Sequence, residues 1–290
     1  MPAPKPTAAV LTAHPRWYAA VRERLTDVRR REHPSGTRFD TGALPGTPWE
    51  VAVADMGVGN HAAGMIVEQA GVWLRPQVLL FLGSAGTSKG YVNEGDVVVA
   101  TRVYTHDPQG PAAPKHQPAS HRLEQAARVA LRRGSGWCGT EATVHFRPVV
   151  AVPDEARDED FSAEEHALAA RRGAAAVELM STGLACAPHL TGPFGSMPET
   201  LTIRGVTYVV GRKISAEPSV LYDEVVDTTV TAAVALLTEL TPWTVSAAPP
   251  IEATGAAPSA YYGGDHIDYR HSTIKGLSTG KSVQGEDLLP

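Results

Sequence analysis

The chain has 290 residues, 43% of them hydrophobic and 20% charged, enough for one large α/β domain or two small ones. A net charge of -5 and a pI near 6.1 leave no basic footprint, so nucleic acid is excluded as the first partner to consider. Two cysteines, Cys138 and Cys186, lie at no metal-ligand spacing and read as reduced thiols, which fits a cytoplasmic protein.

Met1 to Thr7 is Pro-rich and lacks the apolar core of a signal peptide. The run Val78 to Leu82 is far too short to span a bilayer, so no membrane is expected. From residue 8 to about 240, strand-like and helix-like segments alternate. Ala8 to Leu11 is a short apolar run. Trp17, Val21, Leu25 and Val28 then recur at helical spacing, and His33 to Gly36 ends that helix. Trp49 to Ala54 reads as a strand that leads into Gly57 and Gly59. Ala63, Ile66, Val67, Ala70, Trp73 and Leu74 mark the buried face of a second helix.

Gln77 to Leu82 is almost continuously apolar, as in the covered centre of a sheet, and a glycine turn, Gly83-Ser84-Ala85-Gly86, is expected after it. Asp96 to Val103 is another strand. Leu123, Ala126, Ala127, Ala130 and Leu131 form a helix stripe, and Ser162 with Glu165 has capping-box spacing before a further helix. Val206 to Val210 is a strand; Val225, Thr229, Ala232, Leu236 and Leu240 make a long closing helix. The alternation predicts a sheet covered by helices on both faces. Pro242 closes the pattern. Residues 8–243 form one domain in this reading, and 244–290 a flexible linker with a largely disordered polar tail.

Gly57-Val58-Gly59-Asn60-His61 follows a strand and opens a helix, so its backbone can approach an anion or a sugar. Together with "LGSAGTSKGYVNEGDVVVATRVYTHD" from Leu82, "AAVELMSTGLA" from Ala175 and "VVGRKISAEP" from Val209, it resembles the nucleoside phosphorylase superfamily, most of all the methylthioadenosine/S-adenosylhomocysteine nucleosidases. The resemblance runs over residues 8 to 240. It implies a three-layer α/β/α sandwich around a central mixed sheet. It also implies cleavage of a purine–ribose bond through an oxocarbenium-like state, with no metal and no organic cofactor. The partners it implies are a small nucleoside or nucleotide, phosphate in the phosphorylases, and further copies of the chain in a homo-oligomer.

Three carboxylates carry the work in the nucleosidases: one after the first strand activates water, one in V-E-M-E holds the ribose, and one in I-S-D protonates the purine. Glu178 matches the first Glu of V-E-M-E, Leu179 stands for its Met, and Met180 falls where the ribose-binding Glu belongs. Arg212 and Ser215 match the third block, but Ala216 takes the place of the Asp, with Glu217 beside it. Trp17 stands where related sequences carry the first Glu, leaving His14 and Arg16 as the nearby polar groups. Losing a positioned general acid costs roughly 10²–10⁴ in rate. Glu217 rescues proton donation only if the backbone slips by one residue or its longer side chain swings inward.

The resemblance therefore assigns Arg212, Ser215 and Glu217 to catalysis. Val58, Gly59, Ser84, Ala85, Gly86, Glu178, Leu179 and Met180 fall to the sugar and phosphate pocket, and Phe146 to the purine. Plainer readings stand beside these: Ser84 satisfies a backbone group, Glu178 and Arg212 form a structural ion pair, and Met180 and Phe146 fill the core. The tail alternates Ile267 and Tyr269 with polar residues and carries Val283-Gln284-Gly285. It looks like short tails of bacterial signalling and conflict-system proteins that pair by cross-β stacking, which implies a tail-mediated protein partner. A nucleoside-binding sensor or effector acting through that tail is the alternative to an enzyme.

Overall fold

The structure, a computed structural model, describes residues 7–57, 60–105, 116–132, 137, 142–152, 172–178, 198–209, 218–243, 274–275 and 282–283. Ser162, Glu165, Cys138 and Cys186 lie outside them. The chain divides into two compact units, 1–247 and 248–290. In the first, β1 (Thr7–Thr12) leads into α1 (Pro15–Glu23), then a hairpin of β2 (Thr26–Glu32) and β3 (Arg38–Ala43), and then β4 (Glu50–Asp55). Next come α2 (Asn60–Gln69), which runs on as a wide π turn (Ala70–Leu74), β5 (Val78–Thr87), β6 (Val97–Thr105), β7 (His116–Pro118), α3 (His121–Ala130) and β8 (Val144–Ala151). Then β9 (Ala176–Glu178), β10 (Glu199–Val209) and α4 (Pro218–Glu239) complete it. The second unit holds β11 (Ile274–Lys275) paired antiparallel with β12 (Ser282–Val283).

The sheet is mixed and partly closed on itself. Its order is β10-β6-β8-β9-β5-β1-β4-β3-β2, with β7 beside β6, and β10 also pairs with β5. Strands β5, β10, β6, β8 and β9 therefore form a ring, and β1, β4, β3 and β2 extend from it as an open wing. The parallel pairs β1–β4, β1–β5 and β5–β10 put the ends of β1, β4, β5 and β10 on one edge.

Strand alternation sends successive side chains to opposite helical layers. On one face Leu80, Leu82, Leu201 and Ile203 pack with Trp17 and Val21 of α1, Leu123 of α3 and Val225 and Leu236 of α4. On the other, Leu79 and Phe81 meet Ala63, Val67 and Ala70 of α2 and its extension. This is the expected three-layer sandwich. Each large apolar side chain so buried contributes roughly 1.5–3 kcal/mol. Trp49, 1% exposed, also ties β4 to the end of α4 by donating its indole N–H to the carbonyls of Leu237 (2.9 Å) and Leu240 (3.2 Å).

Three local expectations change. Val28 extends the helical spacing, yet α1 stops at Glu23 and Val28 lies in β2, an edge strand whose Arg29, Arg30 and Arg31 show no apolar alternation. The Gly-Ser-Ala-Gly segment is no turn. It continues β5 in extended form, because β10 pairs with it as far as Thr87. Strand β10 likewise begins seven residues before Val206, at Glu199.

Candidate active site

At the shared edge, β1 hands over to α1 beside the glycine segment. The Ala13 N–H donates to the Leu82 carbonyl at 3.2 Å, and a side chain at Gly83 would meet the Ala13 methyl. His14 then caps α1: its Nδ1 accepts the Arg16 N–H at 3.2 Å, and Pro15 at the first helical position has no N–H to satisfy. Trp17 is fully buried, and its indole N–H donates to the Tyr222 hydroxyl at 2.9 Å. Position 17 thus belongs to the core between α1 and α4. Arg16 is half-exposed, lies over the Tyr222 ring at 5.4 Å and pairs with Asp223 at 2.9 Å.

Ser84 follows Leu80 and Leu82 on the same side of β5, the side that carries α1 and α4. It is level with Gly205 of β10. A side chain at Gly205 would strike Val225 and Thr229 of α4 and the Trp17 ring, so this glycine lets α4 lie close to the sheet. Two residues on, the Tyr208 ring covers Gly86, which only glycine permits. Ala85 points the other way, into a separate core of small residues with Val98, Ala100, Val149, Ala151, Ala176 and Val206.

In that same ring, Arg204 and Glu178 form an ion pair, Nη2 to Oε2 2.9 Å, with side chains 0% and 1% exposed. The guanidinium occupies the space that a Gly83 side chain would need. Burial lowers the Arg204 pKa, against the opposing charge and hydrogen bond of Glu178, and guanidinium chemistry keeps it cationic. Glu178 therefore has a buried cation beside it at Arg204; Arg212 lies outside the described residues. So do Val58, Gly59, Leu179, Met180, Ser215, Ala216 and Glu217. Ala85, Gly86 and Glu178 are neighbours in the ring, since Gly86 pairs with Val177, whereas the Ser84 side chain leaves the opposite face of β5.

Phe146 is not part of this group. It packs with the α1/α3/α4 core, its ring 4.3 Å from the Arg128 guanidinium. It also precedes Ala151, the partner of Glu178, by about 16 Å of strand at 3.3 Å per residue. Arg204, Tyr208 and Tyr222 escaped the sequence reading. The signal for Arg204 was a lone cation in the apolar run Leu201 to Val206, matched by a lone acid in Ala174 to Glu178.

Two other polar clusters flank the edge. Asp96, 4% exposed, accepts from the N–H groups of Asn93 (2.8 Å) and Thr143 (3.0 Å) and contacts His145 Nε2 at 2.8 Å. Burial raises its pKa, but these hydrogen bonds outweigh it and hold the carboxyl below its usual value. An open cleft of about 410 Å³ lies by Tyr18, Arg30, Arg38 and Asp55. Its polar groups are already committed: Arg30 to Asp40, Arg38 to Glu32, and Asp55 to the Gly57 N–H. Among the described residues no group of three or more His, Cys, Asp or Glu could hold a metal ion, and no helix is long and apolar enough to cross a membrane.

The model of the phosphorylase superfamily matches residues 7–240. The chain belongs to the phosphorylase superfamily. Among solved structures of that fold, it is similar to a methylthioadenosine/S-adenosylhomocysteine nucleosidase from Colwellia psychrerythraea in complex with adenine. That match has 21% identity over 82% of this chain and 96% of that chain, with a TM-score of 0.66. The Neisseria meningitidis nucleosidase in complex with methylthio-immucillin-A matches at 20% identity, covering 80% of this chain and 97% of that one, TM-score 0.61. Futalosine hydrolase of Helicobacter pylori matches at 15% identity, covering 81% and 99%, TM-score 0.66. No curated protein sequence matches the chain.

Proposed function

We propose that this member of the phosphorylase superfamily cleaves the N-glycosidic bond of a purine nucleoside or nucleotide, using altered active-site residues. The observation that carries the reading is the meeting of Gly83–Gly86 with Glu178 at the edge where β1, β5 and β10 end. The adenine and methylthio-immucillin-A in the complexes of similar structures support a purine-like ligand. In this account Val58, Gly59, Ser84, Ala85, Gly86, Leu179 and Met180 line the sugar pocket. Glu178, fixed by Arg204, orients rather than transfers protons. Arg212, Ser215 and Glu217 form the catalytic group, with Glu217 as proton donor in place of the residue missing at Ala216.

The protein acts in the cytoplasm as a homo-oligomer in this account. Exposed Met65 and Val72, seven residues apart on α2 and its extension, support an apolar contact face. The test is chromatographic detection of free base from purine nucleosides and nucleotides, with and without phosphate. A second reading, a binding module that signals through residues 244–290, draws support from the β11–β12 pair. Ladders of two residues per strand are marginal alone and gain by pairing with a partner. Full-length protein that assembles only with those residues present, and releases no base, supports that reading over the enzyme.

A further inference from the structure

The open wing of the sheet ends in β2, whose one neighbour among the described strands is β3. Past a bulge between Thr26 and Arg29, the two strands keep a regular antiparallel register, from Arg29 opposite Thr41 to Glu32 opposite Arg38. The His33 N–H donates to the Thr37 carbonyl at 2.8 Å, and the Arg29 carbonyl accepts from the Thr41 hydroxyl at 3.3 Å. Residues 29, 31 and 33 therefore turn their backbone groups toward β3, and the N–H and C=O of Arg30 and Glu32 point out of the sheet. Among the described residues nothing pairs with those outward groups. Side chains alternate across the same strand. On the α1 face, Arg30 pairs with Asp40 at 3.2 Å and Glu32 with Arg38 at 3.3 Å. On the α2 face, Arg29 and Arg31 lie opposite Thr41 and Phe39, and no described carboxylate pairs with either. Arg31 stacks over the Trp73 ring at 4.5 Å, which holds its guanidinium at the rim. Both arginines are exposed, and they stand about 6.6 Å apart along the strand.

From this open backbone edge and its one-sided charge we propose that β2 receives an extended acidic segment of a partner protein, added to the sheet as one more strand. Main-chain hydrogen bonds to Arg30 and Glu32 hold the segment, and carboxylates at every second residue face Arg29 and Arg31. Charge on an edge strand also keeps other edges away. A second copy offering its own β2 sets arginine against arginine and is repelled in this way. A nucleic acid supplies anions but no peptide backbone to extend the ladder, and the net charge of -5 opposes it. An acidic strand is the class of partner that the pattern attracts on both counts. The inference goes beyond the glycosidase reading and does not depend on it.

The probe is a fluorescein-labelled ten-residue peptide of alternating glutamate and threonine, its anisotropy read against the full chain at low ionic strength. One control peptide carries glutamine in place of glutamate. Another alternates glutamate with proline, which keeps the charge but cannot join a sheet. Saturable binding is expected for the glutamate–threonine peptide alone, weakened about ten-fold in Arg29→Gln/Arg31→Gln as two charged contacts are lost. Glu32→Pro separates strand addition from plain attraction. It removes an outward N–H at a position where an edge strand tolerates proline, and it also removes a negative charge. Strand addition therefore predicts weaker binding of the acidic peptide, and charge attraction alone predicts tighter binding. Circular dichroism identifies a variant that fails to fold, in which case the comparison of the two glutamate peptides decides. Equal binding of those two peptides overturns the proposal, as does affinity unchanged in the folded double arginine variant. So does the absence of saturable binding. Displacement of the peptide by an equimolar single-stranded oligonucleotide overturns it in favour of nucleic acid. Concentration-dependent self-association that the arginine variant abolishes overturns it in favour of a second copy.

Discussion

Replacing Arg204 by Met tests how the ring is held together. The pair with Glu178 is fully buried at 2.9 Å, so the substitution leaves a carboxylate in the interior without this cation. Removing one partner of a buried pair costs about 3–5 kcal/mol. For a folded unit of this size, each kcal/mol moves the melting temperature by roughly 2–4 °C, so the midpoint should fall by about 6–20 °C. The double variant Arg204→Met/Glu178→Leu removes both charges and should recover most of that loss, since apolar replacement of a buried pair is often neutral or better. Urea and thermal denaturation of the wild type, both single variants and the double variant give the coupling directly. A single variant as stable as the wild type, or a double variant no better than the worse single, would refute the argument that the pair is needed because each charge is trapped by the other.

Trp17→Glu, which places an acid where the resemblance expects one, should unfold the protein rather than activate it. It removes a fully buried ring, about 3–5 kcal/mol by itself, and adds a buried charge; far-ultraviolet circular dichroism reads the result. Acid titration of stability should show a component from Asp96. Its folded carboxyl lies below the ordinary 3.8, so the stabilisation is complete above that value and is lost as pH falls through the lowered native one. Asp96→Asn should flatten the stability curve in that acid range, as followed by denaturant midpoints at successive pH values, whereas an unchanged slope would contradict the hydrogen-bond account.

The parts that were legible in the sequence are those where burial dictates residue type. β1, β5 and α4 are apolar because both sides of the strands, and most of the helix, are covered. The β2–β3 hairpin was not legible. β2 lies at the sheet edge with mostly exposed side chains, so no alternation marks it, and Val28 mimics a helical position. The glycine segment was visible as a motif but misjudged as a turn, because extended glycine and turning glycine read alike until β10 is seen pairing with it. Position 17 looked like a missing catalytic acid. Only the packing of α1 on α4 shows that its side chain faces the core. The partner of Glu178 depends on a ring closure joining residues far apart in the chain, which no local pattern encodes.

The most direct measurement is base release by the full-length protein from adenosine, methylthioadenosine, S-adenosylhomocysteine, inosine, guanosine, AMP and ATP, run beside Glu217→Gln. The account predicts free purine in proportion to protein concentration from at least one of them, falling roughly 10²-fold or more in the variant as a general acid is removed. No free base from any of them, or release that Glu217→Gln leaves unchanged, would contradict it.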